Sequence, residues 1–575
     1  MSWRMGWAAA LLAAAPLAAQ ERVEEMDLPR SVADQVIEFF NRSSTVRFQG
    51  RASVPSGSVI QGDVGVLSGP FTVAGAIEGD LVVVNGDLEV LEGGRISGDV
   101  TVIGGTVTAG ADAVGGQLTI YGERLSYRRR GGRISYAEHR WSGWKARDEG
   151  ANSYFSMRTE GNYNRVEGLP VLFGPVFRSE GEQYLRADVL GVWRSDSGFK
   201  LDADELGYLI RAEQHFGPGG RMSVGGTLHS VISPIEDGGV SDTEASLATL
   251  FLRRDYRDYF EREGFSTFLR YRDDDAGVRL TAEYGEEDHS FTPVGDPWTF
   301  GDRDKAWRPQ PLVAEGRLRA VRGELLVDDR NDREDPSDGW YLAASATKGL
   351  GGDLVLPAYH AAEPAPPSTP TPARALSTDF TAASFDLRRY TRLGPGADLR
   401  LRGFLAGSVD RTPLPPQYQR SLGGEGSLPG FPLLSMDCGA RSAERSVFIK
   451  ADDDAEPVRV PTYAGYGCDR VALFQAEYRG SFSIDWDIGG EGEWNQGWGW
   501  NPSASFDPSW AVFFDAGRGW SLADEGSPAR LGPDTDTLMD VGVGLFLGDL
   551  GLYWAWPLNG EDRNVNFFVR IAHRF

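Results

Sequence analysis

The sequence predicts an all-β protein: a transmembrane antiparallel β-barrel of about 16 strands, preceded by a small parallel β-solenoid. Three observations predict it. From residue 161 onward, short segments alternate apolar and charged side chains with period two, the pattern of a strand with one lipid face and one wet face. Before them, a motif recurs about every 18 residues, too short a unit to bury its own apolar face without stacking on its neighbours. Beyond an N-terminal export segment no run of 18 apolar residues occurs, so membrane residence requires a barrel.

Composition narrows the function. The 575 residues carry 58 Lys+Arg against 83 Asp+Glu, a formal charge of −25 that argues against a nucleic-acid partner. A 41 % hydrophobic content excludes a disordered chain. Two Cys cannot build a disulfide framework, and six scattered His offer little metal capacity.

Residues 1–19 read as a signal peptide: Arg4, an apolar run over 7–17, then Ala18 and Ala19, with cleavage before Gln20. Residues 20–50 form a short helix and linker, Ser31-Val-Ala-Asp34 fitting a capping box ahead of Val36, Ile37, Phe39 and Phe40. The solenoid occupies 51–126. Its motif appears as Ile60-Gln-Gly-Asp63, Ile77-Glu-Gly-Asp80, Ile96-Ser-Gly-Asp99 and Val114-Gly-Gly-Gln117, at spacings of 17, 19 and 18. Strands follow each motif, over 64–67, 81–84, 100–103 and 118–121. These coils resemble the polymer-forming bactofilin-type repeat domain. The solenoid then acts as a self-association module or, preferred here because it supplies no catalytic groups, as a rigid spacer or docking platform. Residues 127–160, with Arg128-Arg129-Arg130, read as a linker.

The barrel occupies 161–575, with strands beginning near 166, 184, 206, 221, 245, 265, 277, 312, 339, 379, 397, 470, 509, 538, 549 and 564. Arg400 and Arg402 oppose Leu399, Leu401 and Leu405; Asn566, Arg570 and Arg574 oppose Val565, Phe567, Val569, Ile571 and Phe575. In 313–320 the apolar face, Leu318 and Ala320, is expected outside and Arg317 and Arg319 inside. Long links (287–311, 350–378, 411–468, 519–537) fall on one side, and short ones such as Gly548-Asp549 on the other. The link 487–508, with Trp494, Trp498 and Trp500, is too long for the short side.

Four stretches, in this order, resemble the sixteen-stranded outer-membrane insertase superfamily of the BamA, TamA and bacterial surface antigen type. They are Tyr163-Asn-Arg-Val-Glu-Gly168, the polar turn from Asp328 to Trp340, Leu422-Gly-Gly-Glu-Gly-Ser-Leu-Pro-Gly-Phe431, and Phe513-Phe-Asp-Ala-Gly517 followed by Val541-Gly-Val-Gly544. The resemblance implies a long loop, 411–468, folding into the lumen. Its tip would be Leu428, Pro429, Gly430 and Phe431, and its barrel-wall partner Asp515; Pro429 stands where the family has an arginine. It also implies a C-terminal assembly signal ending at Phe575. The family places polypeptide-transport-associated domains of βααββ pattern before its barrel, where this chain has the solenoid.

The implied location is the bacterial outer membrane with a periplasmic N-terminal domain. The implied partners are membrane lipid, client outer-membrane proteins, and periplasmic factors met through the solenoid. The implied role is outer-membrane biogenesis or protein insertion and transport; a passive channel or structural barrel is the alternative. Cys438 and Cys468 share the long loop. Export permits a disulfide there, which would close about 30 residues and contribute roughly 3 kcal/mol; two separate thiols are the other reading.

Catalytic, cofactor and metal sites are not expected. Gly426-Ser-Leu-Pro-Gly430 lacks nucleophile-elbow spacing. His139, His215, His229, His289, His360 and His573 do not approach metal-ligand spacing. The acidic clusters 328–338 and 452–454 read as solvated loops.

Overall fold

A computed structural model describes residues 30–571 and 574–575, apart from 43, 50–51, 68, 111–112, 122–124, 126, 131–132, 137–152, 160, 180–182, 198–205, 218–219, 237–238, 274–275, 302–303, 331–335, 362–368, 395–396, 451–455, 482–483, 488–502, 507–508, 548–549 and 561–563. The expected signal peptide, Trp494, Trp498 and Trp500 lie outside the described residues. The chain divides into two compact units, Met1–His139 and Arg140–Phe575.

In the first unit, three parallel sheets stack the coils of a solenoid. One carries Val46–Gln49, Val64–Leu67, Leu81–Val84, Val100–Ile103 and Leu118–Tyr121 in that order. The solenoid therefore starts inside the segment expected as helix and linker. Its interior is Val64, Phe71, Ile77, Leu81, Ile96 and Val100, each at most 1 % exposed. The recurring Asp has a local cause. Asp63 accepts the backbone N–H of Asp80 (3.2 Å), Asp80 that of Asp99 (2.9 Å), and Asp99 that of Gln117 (2.8 Å). Each carboxylate thus satisfies an amide of the next coil at a corner, where no ladder partner exists. Helix α1 (Arg30–Asn41) lays Ala33, Val36, Phe39 and Phe40 against Leu67, Val82, Val84 and Ile103.

The second unit is a barrel sheet of sixteen antiparallel strands among the described residues. They are β1 (Ser153–Thr159), β2 (Pro170–Arg178), β3 (Leu185–Arg194), β4 (Gly207–Phe216), β5 (Met222–Pro234), β6 (Tyr259–Asp273), β7 (Val278–Ser290), β8 (Gly316–Asp328), β9 (Gly339–Gly352), β10 (Thr381–Gly394), β11 (Ala397–Ser408), β12 (Arg470–Ser481), β13 (Ser509–Trp520), β14 (Leu538–Leu547), β15 (Leu550–Pro557) and β16 (Asn566–Arg570). Every consecutive pair is joined; among the described residues β1 and β16 do not pair with each other.

The total matches the expectation through two compensating differences. The linker 127–160 contains β1 and a separate hairpin, Tyr127–Arg130 with Arg133–Tyr136. Tyr163-Asn-Arg-Val-Glu-Gly168 therefore follows the first strand and lies in the β1–β2 link. The segment near 245 is a helix, α2 (Asp242–Leu252), whose N-cap Ser241 accepts the N–H of Glu244. Ser241-Asp-Thr-Glu244 is a capping box, and that local signal outweighs the weak alternation.

The inward and outward faces follow the alternation on most strands. Leu185 and Val189 are outside, with Asp188 inside; Leu405 is outside, with Arg400 buried; Phe567 and Val569 are outside, with Arg570 buried. Two positions differ. On β8, Leu318 and Ala320 are inside, packed on Phe380 and Leu414, while Arg317 lies outside and pairs with Asp288 at 3.3 Å. That part of β8 adjoins the long-link side, where outward charges meet water. Phe575, expected beside Val565 and Phe567, is buried instead. The long 482–508 link extends the β12–β13 hairpin through Ile484–Asp487 paired with Ser503–Phe506.

Candidate functional site: a luminal lid

The 409–469 link enters the barrel. Its apolar side chains Leu422, Leu428, Phe431 and Met436 pack with Ala406 of β11, Val471 and Leu473 of β12 and Leu538 of β14. Gly517 makes this possible: a Cβ there would stand 2.9 Å from Leu428 Cδ1 and 3.1 Å from Leu422 Cδ1. Cys438 and Cys468 are bonded, with Cα atoms 5.1 Å apart. Beside them, Arg420 and Cys468 exchange backbone hydrogen bonds of 2.8 and 3.0 Å, so the two limbs of the link are tied at its root.

The tip, Leu428-Pro429-Gly430-Phe431, is held by the last strands. Gly430 N–H donates to Asp540 Oδ2 (2.8 Å), and Asn566 Nδ2 donates to Pro429 O (2.7 Å). Just before the tip, Gln475 Nε2 donates to Ser427 O (2.8 Å) and Arg570 donates to Glu425 O (2.9 Å). The wall acid that the tip touches is therefore Asp540, and the expectation of Asp515 is corrected. Pro429, in the arginine's position, offers no cation, so the contact runs through a backbone N–H that Asp540 faces directly. Asp515 is the register partner of Asp540 on the neighbouring strand and accepts from Gln475 at 3.1 Å, the residue that also donates to Ser427 O of the lid.

Asp515 is neutralised from another direction. Arg574 forms a fully buried ion pair with it, stands 3.5 Å from Glu477, and lies 3.9 Å over the Phe513 ring. The residue before the C-terminal Phe575 thus supplies the guanidinium that the lid lacks. Across four strands the polar row continues: Arg402 donates to Gln475 (3.0 Å), and Asp386 takes both Arg388 and Arg402 at 2.8 Å. Between this row and the lid lies a cavity of about 440 Å³ lined by Arg388, Arg402, Arg420, Ser421 and Leu433, among others.

On the long-link side a second buried cluster ties the lid to three other links. Asp258 pairs with Arg165 of the β1–β2 link, with Arg308 of the β7–β8 link (2.7 Å) and with Arg441 of the lid (2.5 Å); Arg165 also reaches Asp255 at 3.2 Å. Burial works to raise the Asp258 carboxyl, but three guanidiniums overcome it and hold the group far below the usual carboxylate range. Nearby, Tyr466 donates to Glu236, whose own pKa burial raises. A lid hairpin, Glu444–Ile449 with Val458–Tyr463, adds Gln310–Pro311 and His360–Ala361 to make a four-stranded cap sheet.

Sequence reasoning missed Asp540, Gln475, Asp258 and the Arg574–Asp515 pairing. Asp540 was detectable as the one acid on an apolar strand, a costly position that marks function or a partner. The Arg574–Asp515 pair joins positions 59 residues apart and leaves no local signature. Leu428, Pro429 and Phe431 are buried and Gly430 lies in close contact, so the four predicted tip residues share one packed turn.

No family model and no curated protein matches this chain. Among solved structures it is similar to BamA from Haemophilus ducreyi lacking POTRA domains 1–3, with 13 % identity, 73 % of this chain and 70 % of that one covered, and a TM-score of 0.39. It is also similar to CdiB from Escherichia coli, with 14 % identity, 78 % and 67 % covered, and a TM-score of 0.30. At these scores the sixteen-stranded architecture rests on the strand pairing itself.

Proposed function

We propose that this protein is an outer-membrane β-barrel of the insertase type, acting without catalytic chemistry in outer-membrane biogenesis or in polypeptide insertion and transport. The observation that carries the reading is where the lid tip is fastened. Its partners Asp540, Asn566 and Arg570 stand on β14 and β16, beside the margin where the sheet is not paired. A lid held there can release the last strands and the lumen together, which is what passing a polypeptide into a bilayer requires. In this reading the solenoid is periplasmic and serves as a spacer or docking platform for clients or periplasmic factors. Removing the protein from its cells should lower the levels of other outer-membrane barrels; unchanged levels would refute insertion.

A passive channel is the second reading, favoured by the arginine-lined cavity beside the lid. Deleting 422–437 should then raise single-channel conductance while leaving the levels of other barrels intact.

A further inference from the structure

The margin between β1 and β16 is spanned by a helix. Within its first turn, α2 pairs Glu244 with Arg570 of β16 at 2.6 Å, and just ahead of it Gly239 O accepts from the same guanidinium (3.1 Å). One residue after the first turn, Ser246 Oγ accepts the N–H of Tyr163, which lies just beyond β1 (2.9 Å). Helix α2 is therefore tied to β16 and to the link that leaves β1, the two strands that do not pair with each other among the described residues. Its inner face, Ala245 and Ala248 with Tyr256 and Val240, is packed and buried.

Its other face is apolar and open. Leu247, Phe251 and Leu252 are 37–62 % exposed. The β7–β8 link brings Trp298 and Phe300 alongside, at 53 % and 63 % exposure. Phe251 stacks on Phe300 with centroids 5.1 Å apart, and Trp298 meets Phe300 edge-on at 4.2 Å. The arrangement is built. Phe300 N–H donates to Leu250 O (2.9 Å), Tyr163 Oη to Trp298 O (2.5 Å), and Arg253 pairs with Asp296 at 2.9 Å. Lys305 and Asp296 form a polar rim, Lys305 reaching Leu252 O at 3.3 Å.

We infer that this face is a lipid-contacting wedge, which fills the unpaired margin of the barrel and meets bilayer acyl chains at the level of the membrane interface. Aromatic side chains with a charged rim have the composition of a membrane-interface belt, where one end of the group is apolar and the other wet. The two strands whose margins it ties carry outward apolar side chains of comparable exposure, 43–68 %: Phe155 and Met157 of β1, and Phe567 and Val569 of β16. Arg570 and Glu244 are buried behind it. Their charges face the lid side, where Arg570 also donates to Glu425 O at 2.9 Å, so the face that α2 leaves open carries only apolar side chains and their polar rim.

The inference rests on the barrel spanning a bilayer and not on insertion activity, so a failed insertion assay leaves it standing. The test uses the full chain in phosphatidylcholine vesicles, with one environment-sensitive fluorophore on an introduced cysteine. Phe251→Cys is compared with Val569→Cys on the outward face of β16 and with Phe448→Cys on the exposed cap hairpin; Phe300→Cys replaces Phe251→Cys if that variant does not fold. Nitroxide-labelled phosphatidylcholine should quench the Phe251 probe within twofold of the Val569 probe and several-fold more than the Phe448 probe, with aqueous iodide in the reverse order. Lipid quenching no greater than at Phe448 would overturn the wedge and leave the patch as a surface for a protein partner. Loss of lipid quenching at Val569 as well would overturn the barrel's residence in the bilayer, and the wedge with it.

Discussion

Gly430→Ala is the smallest change that should open the lid. The added Cβ would lie 2.7 Å from Asp540 Cβ, 3.1 Å from Asp540 Oδ2 and 3.1 Å from Pro557 N. The wall here is paired strand, so the tip must give way. Its retreat loses the 2.8 Å hydrogen bond from Gly430 N–H to the Asp540 side chain, worth about 0.5–1.5 kcal/mol. Overpacking within a filled contact adds about 1–3 kcal/mol. Taking about 3 kcal/mol as a central value, the closed-to-open ratio falls by a factor of about 150. Single-channel recording in planar bilayers reads this directly, as open events made more frequent by about two orders of magnitude. Gly403→Ala is the control, because its added methyl meets nothing within 4 Å. If Gly430→Ala and Gly403→Ala give the same traces as the unchanged protein, the contact with Asp540 does not hold the lid.

Three further outcomes follow from the same geometry. Asp258→Asn leaves the guanidiniums of Arg165, Arg308 and Arg441 short of a counter-charge, a loss of about 3–5 kcal/mol that limited proteolysis of 409–469 should detect at neutral pH. In the unchanged protein the folded-state pKa of Asp258 is depressed, so its contribution is fully present above the unfolded value of about 3.9 and fades only as pH falls below it; protease protection should persist from pH 7 down to about 4. Replacing Cys438 and Cys468 by Ser frees a loop of 30 residues, and the lid root should lose about 3 kcal/mol, seen as faster cleavage within 409–469 while the heat-modifiable gel shift of the barrel is retained. Arg574→Gln strips Asp515 and Glu477 of a shared cation at a cost of about 3–5 kcal/mol, and the barrel should lose its folded gel mobility at a lower temperature.

The strand plan was legible because alternation is written locally, and β9, β11, β12, β13 and β14 begin within a residue of the positions that alternation gives. Helix α2 was misread although Ser241 and Glu244 carry its start signal, since its buried face is made of small residues, Ala245, Ala248 and Thr249, while its large apolar side chains Leu247, Phe251 and Leu252 are exposed. The faces of β8 were inverted for a tertiary reason. Alternation gives two faces but not which one is inward, and above the apolar band Leu318 turns to the packed links while Arg317 turns to water. The lid tip was legible as a motif, but its partner was not. A missing arginine moves the contact from a side chain to the Gly430 backbone, and which acid then faces that N–H depends on the register of β13 against β14.

The central claim is that a lid fastened to the last strands governs the passage of other polypeptides into a bilayer. Its most direct test is the folding rate of a urea-unfolded outer-membrane barrel diluted into vesicles that contain this protein, its Gly430→Ala variant, or neither. The claim predicts faster assembly with the protein than with empty vesicles, and a different rate again with Gly430→Ala. Equal rates in all three would contradict it.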